Sequence, residues 1–170
     1  MILPLTRSTI RPWSPSDRMD LARNANNPLI AANLRDAFPH PYSVADADRF
    51  IAMCEQQSPR TFFALEVDGE AAGGIGLSLH RDVERVSAEL GYWLAEKHWG
   101  RGIVSEAVRA LTDCSFERYS LTRVYPLPYA SNPTSARVLE KAGFVLEGRL
   151  RRSVIKHGVV LDQLLYAAVR

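Results

Sequence analysis

Hydrophobic spacing along the chain changes period several times, and the changes mark out its elements. Residues 9–13 alternate as a short strand that stops at Pro12, Ser14 and Pro15, after which Ser16 or Asp17 can cap a helix. Residues 17–57 carry helical spacing broken at Asn27 and Pro28 and again at Phe38, Pro39, His40 and Pro41, which predicts a bent helical pair joined by an aromatic, proline-rich loop. Within that region Ala47, Phe50, Ile51 and Cys54 recur at helix spacing over 46–56.

From Thr61 the period becomes that of strands. Runs 61–67 and 71–80 flank Asp68 and Gly69, a strong hairpin signal, so they are expected as antiparallel neighbours. Gly73, Gly74 and Gly76 in the second run imply a bulge or a close backbone approach. Residues 81–85 read as a charged loop and 86–95 as the next strand, buried in character.

Residues 102–119 then place Val104, Ala107, Val108, Leu111 and Cys114 on one helical stripe, with Glu106, Arg109, Asp113 and Glu117 opposite. Residues 121–130 read as a strand. Pro126 and Pro128 remove two donors from it, so one side is expected to lack a regular partner. Over 132–142 the helix punctuation is complete, with Asn132 as cap, Pro133 at the first position and Gly143 as the stop. Strands 144–151 and 159–169 close the chain around a turn at His157 and Gly158. Strands before, between and after helices give a mixed α/β sheet.

Composition narrows the class. At 170 residues, with 46% hydrophobic and 24% charged positions, the chain has the size and balance of a single domain, 1–170, with its own core. No apolar run is long enough to cross a bilayer, and residues 1–5 lack the pattern of a secretory signal, so a cytoplasmic protein with no membrane partner is expected. Cys54 and Cys114 form no C-x-x-C pair, so no metal site is expected and buried free thiols are the simpler reading. A net charge of +2 gives no ground for a nucleic-acid partner. Arg149, Arg151 and Arg152 cluster locally, as a solvated strand edge or as part of a site.

The stretch AELGYWLAEKHWGRGIVSEA, from Ala88 to Ala107, carries the candidate chemistry as strand, basic glycine turn and helix start. A helix N-terminus offers unpaired N–H groups and partial positive charge to a phosphate. The turn Lys97-His98-Trp99-Gly100-Arg101-Gly102 fails the P-loop pattern because no Lys-Ser or Lys-Thr follows the glycines. It also fails the dinucleotide pattern, since Ser105 stands where the third glycine belongs.

What remains, Lys97, Gly100 and Gly102 as K-x-x-G-x-G, resembles the Q/R-x-x-G-x-G/A signature of the GNAT superfamily of N-acetyltransferases, with Lys in place of the commoner Gln or Arg. AELGYWL before it, WGRGIVSEA through it and NPTSARVLEKAGFVLEG after it are together similar to the RimJ/RimL-like branch, in order and spacing from about Ala88 to Gly148. Pro41 and Tyr42 followed by a helix add to the likeness. The resemblance implies a mixed, mostly antiparallel sheet of about seven strands flanked by about four helices, the fourth and fifth strands splayed to receive a pantetheine arm. Pro126 and Pro128 suit such an interrupted strand, though the branch has fewer prolines there.

It also implies acetyl-coenzyme A as cosubstrate and a primary amine as acceptor, either a peptide N-terminus or a small molecule, in a monomer or homodimer. Lys97, Trp99, Gly100, Arg101, Gly102, Ile103 and Ser105 would line the pyrophosphate turn, mainly through backbone N–H groups, and Asn132 would meet the pantetheine end. Thioester aminolysis needs a neutral amine, a polarised carbonyl and a proton for the departing thiolate. A lysine-like amine with a pKa of ~10 is mostly protonated at neutral pH, an α-amine near ~8 less so.

Glu89 matches the position of the catalytic glutamate in some members and is the candidate base. It could equally position substrate or pair with an arginine. Many members place a tyrosine donor seven residues after the asparagine, where this chain has Leu139. Ser135 is the alternative donor in this branch, or a first-turn serine of capping value alone. Trp93 is expected in the core and Trp99 packed at the surface beside the coenzyme, while His98 and His157 read as polar loop residues. Acceptor walls are expected in 27–42 and 149–157. Asp36, Asp46 and Asp48 are too scattered for a polyamine site. A rival reading is an acyl-coenzyme A binding module without catalysis, and a weaker one is another kind of nucleotide-binding protein.

Overall fold

The computed structural model describes all residues from Met1 to Arg170. The elements follow as β1 (Leu3–Pro4), β2 (Thr9–Pro12), α1 (Arg18–Ala25), α2 (Pro28–Ala31), α3 (Val44–Gln56), β3 (Phe62–Val67), β4 (Glu70–Leu79), β5 (Ser87–Leu94), α4 (Ile103–Arg118), β6 (Arg123–Tyr125), α5 (Pro133–Lys141), β7 (Val145–Lys156) and β8 (Val159–Val169). The eight strands hydrogen-bond in the order β1-β2-β3-β4-β5-β6-β8-β7. This is the expected mixed sheet, enlarged by the two-residue β1 and, among the helices, by the single turn α2. Two compact units divide the chain, Met1–Gly76 with Tyr92–Ala107 and Leu77–Gly91 with Val108–Arg170.

In the first unit Asp17 is the N-cap residue of α1, though its side chain makes no capping bond to that helix, and a helical turn precedes it. Ser14 is the cap of a short 3-10 turn over Pro15–Asp17, in a reciprocal capping box with Asp17. Asp17 also accepts two 2.8 Å bonds from the Arg11 guanidinium, so its carboxylate is engaged before α1 begins. Ser43 and Asp46 form a second such box, which starts α3 at Val44. The interruption at Asn27 and Pro28 is a new helix start, Asn27 accepting from the Leu29 N–H at 2.8 Å. These helices bury Leu21, Ala25, Ala47, Ile51 and Cys54 together with Trp13 and Tyr42.

The β3–β4 hairpin turns at Asp68 and Gly69, with φ of +52° and +83°, the left-handed pair that such a two-residue loop requires. Leu65 pairs with Gly73 but Glu66 pairs with Ala71, leaving Ala72 as the extra residue of a bulge. Close approach holds as well. A Cβ on Gly73 would lie 2.5 Å from the Trp93 carbonyl oxygen, and one on Gly76 would lie 2.2 Å from Phe62 Cδ1.

In the second unit β5 and β6 run parallel through Ser87↔Arg123, Ala88↔Val124 and Glu89↔Tyr125, where the ladder stops. The expected ten-residue strand is reduced to Arg123–Tyr125. Beyond it the Pro126 and Pro128 carbonyls accept from the Tyr166 and Leu164 N–H groups of β8 at 3.4 and 2.9 Å. The prolines therefore leave this segment tied on its β8 side, as their missing donors imply.

Strand β5 is not buried on both sides. Ala88 and Leu90 are buried, while Ser87 and Glu89 are half-exposed. On α4 the buried stripe is Ile103, Ala107, Val108, Leu111, Thr112 and Ser115, rotated from the expected one so that Val104 and Cys114 are half-buried. The hydroxyl of Ser115 explains how a polar residue joins that face, since it donates to the Thr112 carbonyl at 2.7 Å. The β7–β8 hairpin is longer than expected and slips register between Leu150 and Val154, with Arg152 at φ +52°.

Candidate active site

Where β5 ends, Glu96–His98 makes a 3-10 turn, and Gly100 and Gly102 adopt φ of +75° and +77° before α4 starts at Ile103. The bond that joins α4 to this junction runs from the Glu106 N–H to the Gly102 carbonyl at 3.2 Å. The N–H groups of Ile103, Val104 and Ser105 therefore lie ahead of the helical ladder, in the position that binds anions at a helix start. A Cβ on Gly100 would meet nothing within 4 Å, and one on Gly102 would meet only Arg7 Nη1 at 3.9 Å. The glycines are needed here for backbone angle, and the turn stays open to a bulky ligand.

The side chains of the turn are ordered by carboxylates. Lys97 Nζ pairs with Glu70, as does the Arg23 guanidinium at 2.8 Å. His98 is buried, 6% exposed, and is not a free loop residue. Arg101 Nη1 lies 2.8 Å from His98 Nδ1, and because a guanidinium only donates, that nitrogen accepts and the ring hydrogen sits on Nε2, facing Glu70 at 3.4 Å. Lys97 foremost, with His98 and Arg23 also contributing, holds the Glu70 carboxyl below its ordinary range. Arg101 also stands 3.6 Å from Asp68 of the hairpin turn.

Trp99 is 45% exposed and anchored by its indole N–H to the Leu94 carbonyl at 2.8 Å, a surface position as expected. Trp93 packs at the margin of the core against Phe38, ring centroids 5.7 Å apart.

Arg7 is the cation that sequence reasoning missed. Its Nη1 donates to the Arg101 carbonyl, while the neighbouring Thr6 N–H donates to Glu106 at 2.8 Å. These bonds fasten the segment between β1 and β2 to the turn. Nothing local in the sequence marks Arg7, which meets the turn 94 residues away in the chain.

The remaining predicted residues lie in the second unit. Glu89 is half-exposed, on the same face of the sheet as its pairing partner Tyr125. Tyr125 Oη is 2.6 Å from His80 Nε2, and the two rings stack with an 11° interplanar angle. Asn132 accepts from the Ser135 N–H at 3.1 Å, the capping role expected of it, with Pro133 at the first helical position. Ser135 is half-buried beside it, and Leu139 is fully buried. Arg149 is engaged by Asp162 at 2.6 Å, and Asp162 also accepts the Arg152 N–H at 2.8 Å. No group of three or more His, Cys, Asp or Glu residues is placed to hold a metal ion, and no helix is long and apolar enough to cross a membrane.

The strand, glycine turn and helix start sit within the mixed sheet that the resemblance to the N-acetyltransferases implies. The acetyltransferase (GNAT) domain model matches residues 7–145, and the chain belongs to that family.

The chain is 35% identical over 103 residues to the putative ribosomal N-acetyltransferase YdaF of Bacillus subtilis (strain 168), covering 61% of this chain and 56% of that protein. It is 32% identical over 117 residues to the ribosomal-protein-serine acetyltransferase of Escherichia coli (strain K12), covering 69% of this chain and 65% of that protein. The match thus spans less than two thirds of either curated relative. Among solved structures, RimL, a ribosomal L7/L12 alpha-N-protein acetyltransferase in complex with coenzyme A, superposes with a TM-score of 0.88 at 22% identity, over 99% of this chain and 98% of that one. Mycobacterium smegmatis RimJ in complex with CoA-disulfide gives 0.87 at 24% identity, over 99% and 86%. At these identities the structures share the fold, and with the relatives they support the RimJ/RimL-like resemblance.

Proposed function

We propose that the protein is an N-acetyltransferase that moves the acetyl group of acetyl-coenzyme A directly to a primary amine, a protein N-terminal α-amine or the amine of a small molecule. The observation that carries this reading is the turn from Leu94 to Ile103, whose positive-φ glycines leave helix-start amides open to a pyrophosphate. Ile103, Val104 and Ser105 would supply backbone donors, Gly100 and Gly102 the room, and Trp99 a surface beside the coenzyme. Lys97 and Arg101 are set by Glu70 and Asp68, so they add charge that is already oriented. Asn132 and Ser135 would meet the pantetheine end.

The acceptor amine must lose a proton before it attacks, and Glu89 is the proposed base. Ser135 is the proposed donor for the leaving thiolate, in a chain whose position 139 offers no phenol. Relatives named for ribosomal-protein acetylation, together with RimL, named as an alpha-N-protein acetyltransferase, support a protein α-amine as acceptor. Substituting Glu89→Gln and Ser135→Ala tests the assignment. Each lowers kcat while the affinity for coenzyme A stays near wild type, and unchanged turnover in both variants refutes it.

A further inference from the structure

We propose that Tyr125 and His80 form a proton outlet for the base Glu89, an inference that rests on the acetyl-transfer reading. Glu89 is the last residue of β5 to pair with β6, and its partner is Tyr125. Paired residues of parallel strands share a face, so the carboxylate and the phenol emerge side by side on the half-exposed face, opposite the buried Ala88 and Val124. From the other side of β5, just past the end of β4, His80 reaches Tyr125 with a 2.6 Å Nε2 to Oη contact, its backbone N–H donating to the Ser87 carbonyl at 3.2 Å.

The charged groups beside the pair are Glu89 from β5, on the same face as Tyr125, and Arg123 from β6, whose own partner is Glu147 of β7. Arg123 lies 5.8 Å from the Tyr125 ring centroid and is itself paired with Glu147. A cation over the ring stabilises negative charge developing on the phenol oxygen. His80 is half-exposed and so in reach of water.

The proton transfers balance without any other reactant. The ammonium N–H bond of the acceptor breaks as a Glu89 oxygen takes the proton. Glu89 then passes it to Tyr125 Oη while the phenol's own hydrogen crosses to His80 Nε2. The imidazolium releases one proton to water and returns to its neutral form, leaving Glu89 ionised for the next amine.

Three measurements on the full chain test this. Tyr125→Phe keeps the stacked ring and removes the hydroxyl, and is expected to lower kcat about tenfold or more. Its affinity for coenzyme A, which also reports folding, stays unchanged. His80→Ala loses activity similarly, and added imidazole restores it in a concentration-dependent way, a response that a merely structural histidine would not give. A Tyr125→Phe kcat within twofold of wild type, or a His80→Ala loss that imidazole leaves untouched, overturns the outlet while acetyl transfer stands. Absence of turnover by the wild-type protein on every amine overturns the acetyl-transfer reading and the outlet with it.

Discussion

Replacing Gly102 by alanine separates the backbone's role from the ligand's. Gly102 has φ +77° and no heavy atom closer to a built Cβ than Arg7 Nη1 at 3.9 Å, so the cost of alanine is conformational and not steric. Holding a residue with a Cβ in the left-handed region costs ~1–2 kcal/mol. For a chain of this size each kcal/mol lowers Tm by ~2–4 °C, giving a loss of about 2–8 °C. Gly158 supplies the control, since it has the same φ of +77° and open space around it, in the β7–β8 turn far along the chain from Gly100 and Gly102. Gly158→Ala is expected to show the same Tm loss and wild-type affinity for coenzyme A. In Gly102→Ala part of that strain is relieved by rotating the amides that follow, which turns them away from a bound phosphate. A lost hydrogen bond to a charged oxygen is worth ~1.5–3 kcal/mol, roughly tenfold or more in Kd. Thermal unfolding and calorimetric titration of coenzyme A read the two effects. Equal coenzyme affinity in Gly102→Ala and Gly158→Ala would refute the assignment of the Ile103–Ser105 amides as phosphate ligands.

Three further outcomes follow from the same geometry. Glu70, held below the ordinary carboxyl range by Lys97, His98 and Arg23, contributes stability that is full above the unfolded carboxyl range near ~4.3 and is lost as pH falls through its lower folded value. Glu70→Gln should flatten that acid-side loss in a pH series of denaturant titrations, and an identical pH slope would contradict it. Gly76→Ala, whose Cβ would press on the Phe62 ring, should destabilise by about 1–3 kcal/mol in the same measurement, against little change for Gly91→Ala, where nothing lies within 4 Å. Burial pushes the Cys54 thiol up to about 12, so in the native protein a thiol reagent should label Cys114 well before Cys54, and equal rates would refute this.

How much of this was legible in the sequence depended on the range of the interaction. Asp68 with Gly69, and Asn132 with Pro133 and Gly143, announce a hairpin and a helix because turn and cap chemistry is local, and both stand in the structure where they were read. The glycine turn is legible for the same reason, as a strand, two glycines and a helix start within a short stretch. Asp17 stands at the N-cap of α1, as its place in the sequence suggests, but its carboxylate is taken by Arg11, six residues earlier in β2, and the side-chain capping bonds fall to Ser14 one turn before, which no local pattern announces. His98 reads as a loop residue because its partner Glu70 lies 28 residues away on β4, and only the fold brings that carboxylate beside it. Arg7 and the His80–Tyr125 contact are likewise products of strand order, in which residues 45 apart become a hydrogen-bonded pair. The shifted stripe of α4 has a different cause, since Thr112 and Ser115 are polar by composition yet face inward.

The central claim is tested most directly by following free thiol release from acetyl-coenzyme A by the wild-type chain over a panel of peptide N-termini and small amines. The account predicts saturable turnover that depends on the amine and falls in Glu89→Gln. Saturable binding of coenzyme A with no thiol release on any acceptor would contradict it and leave the non-catalytic binding module in its place.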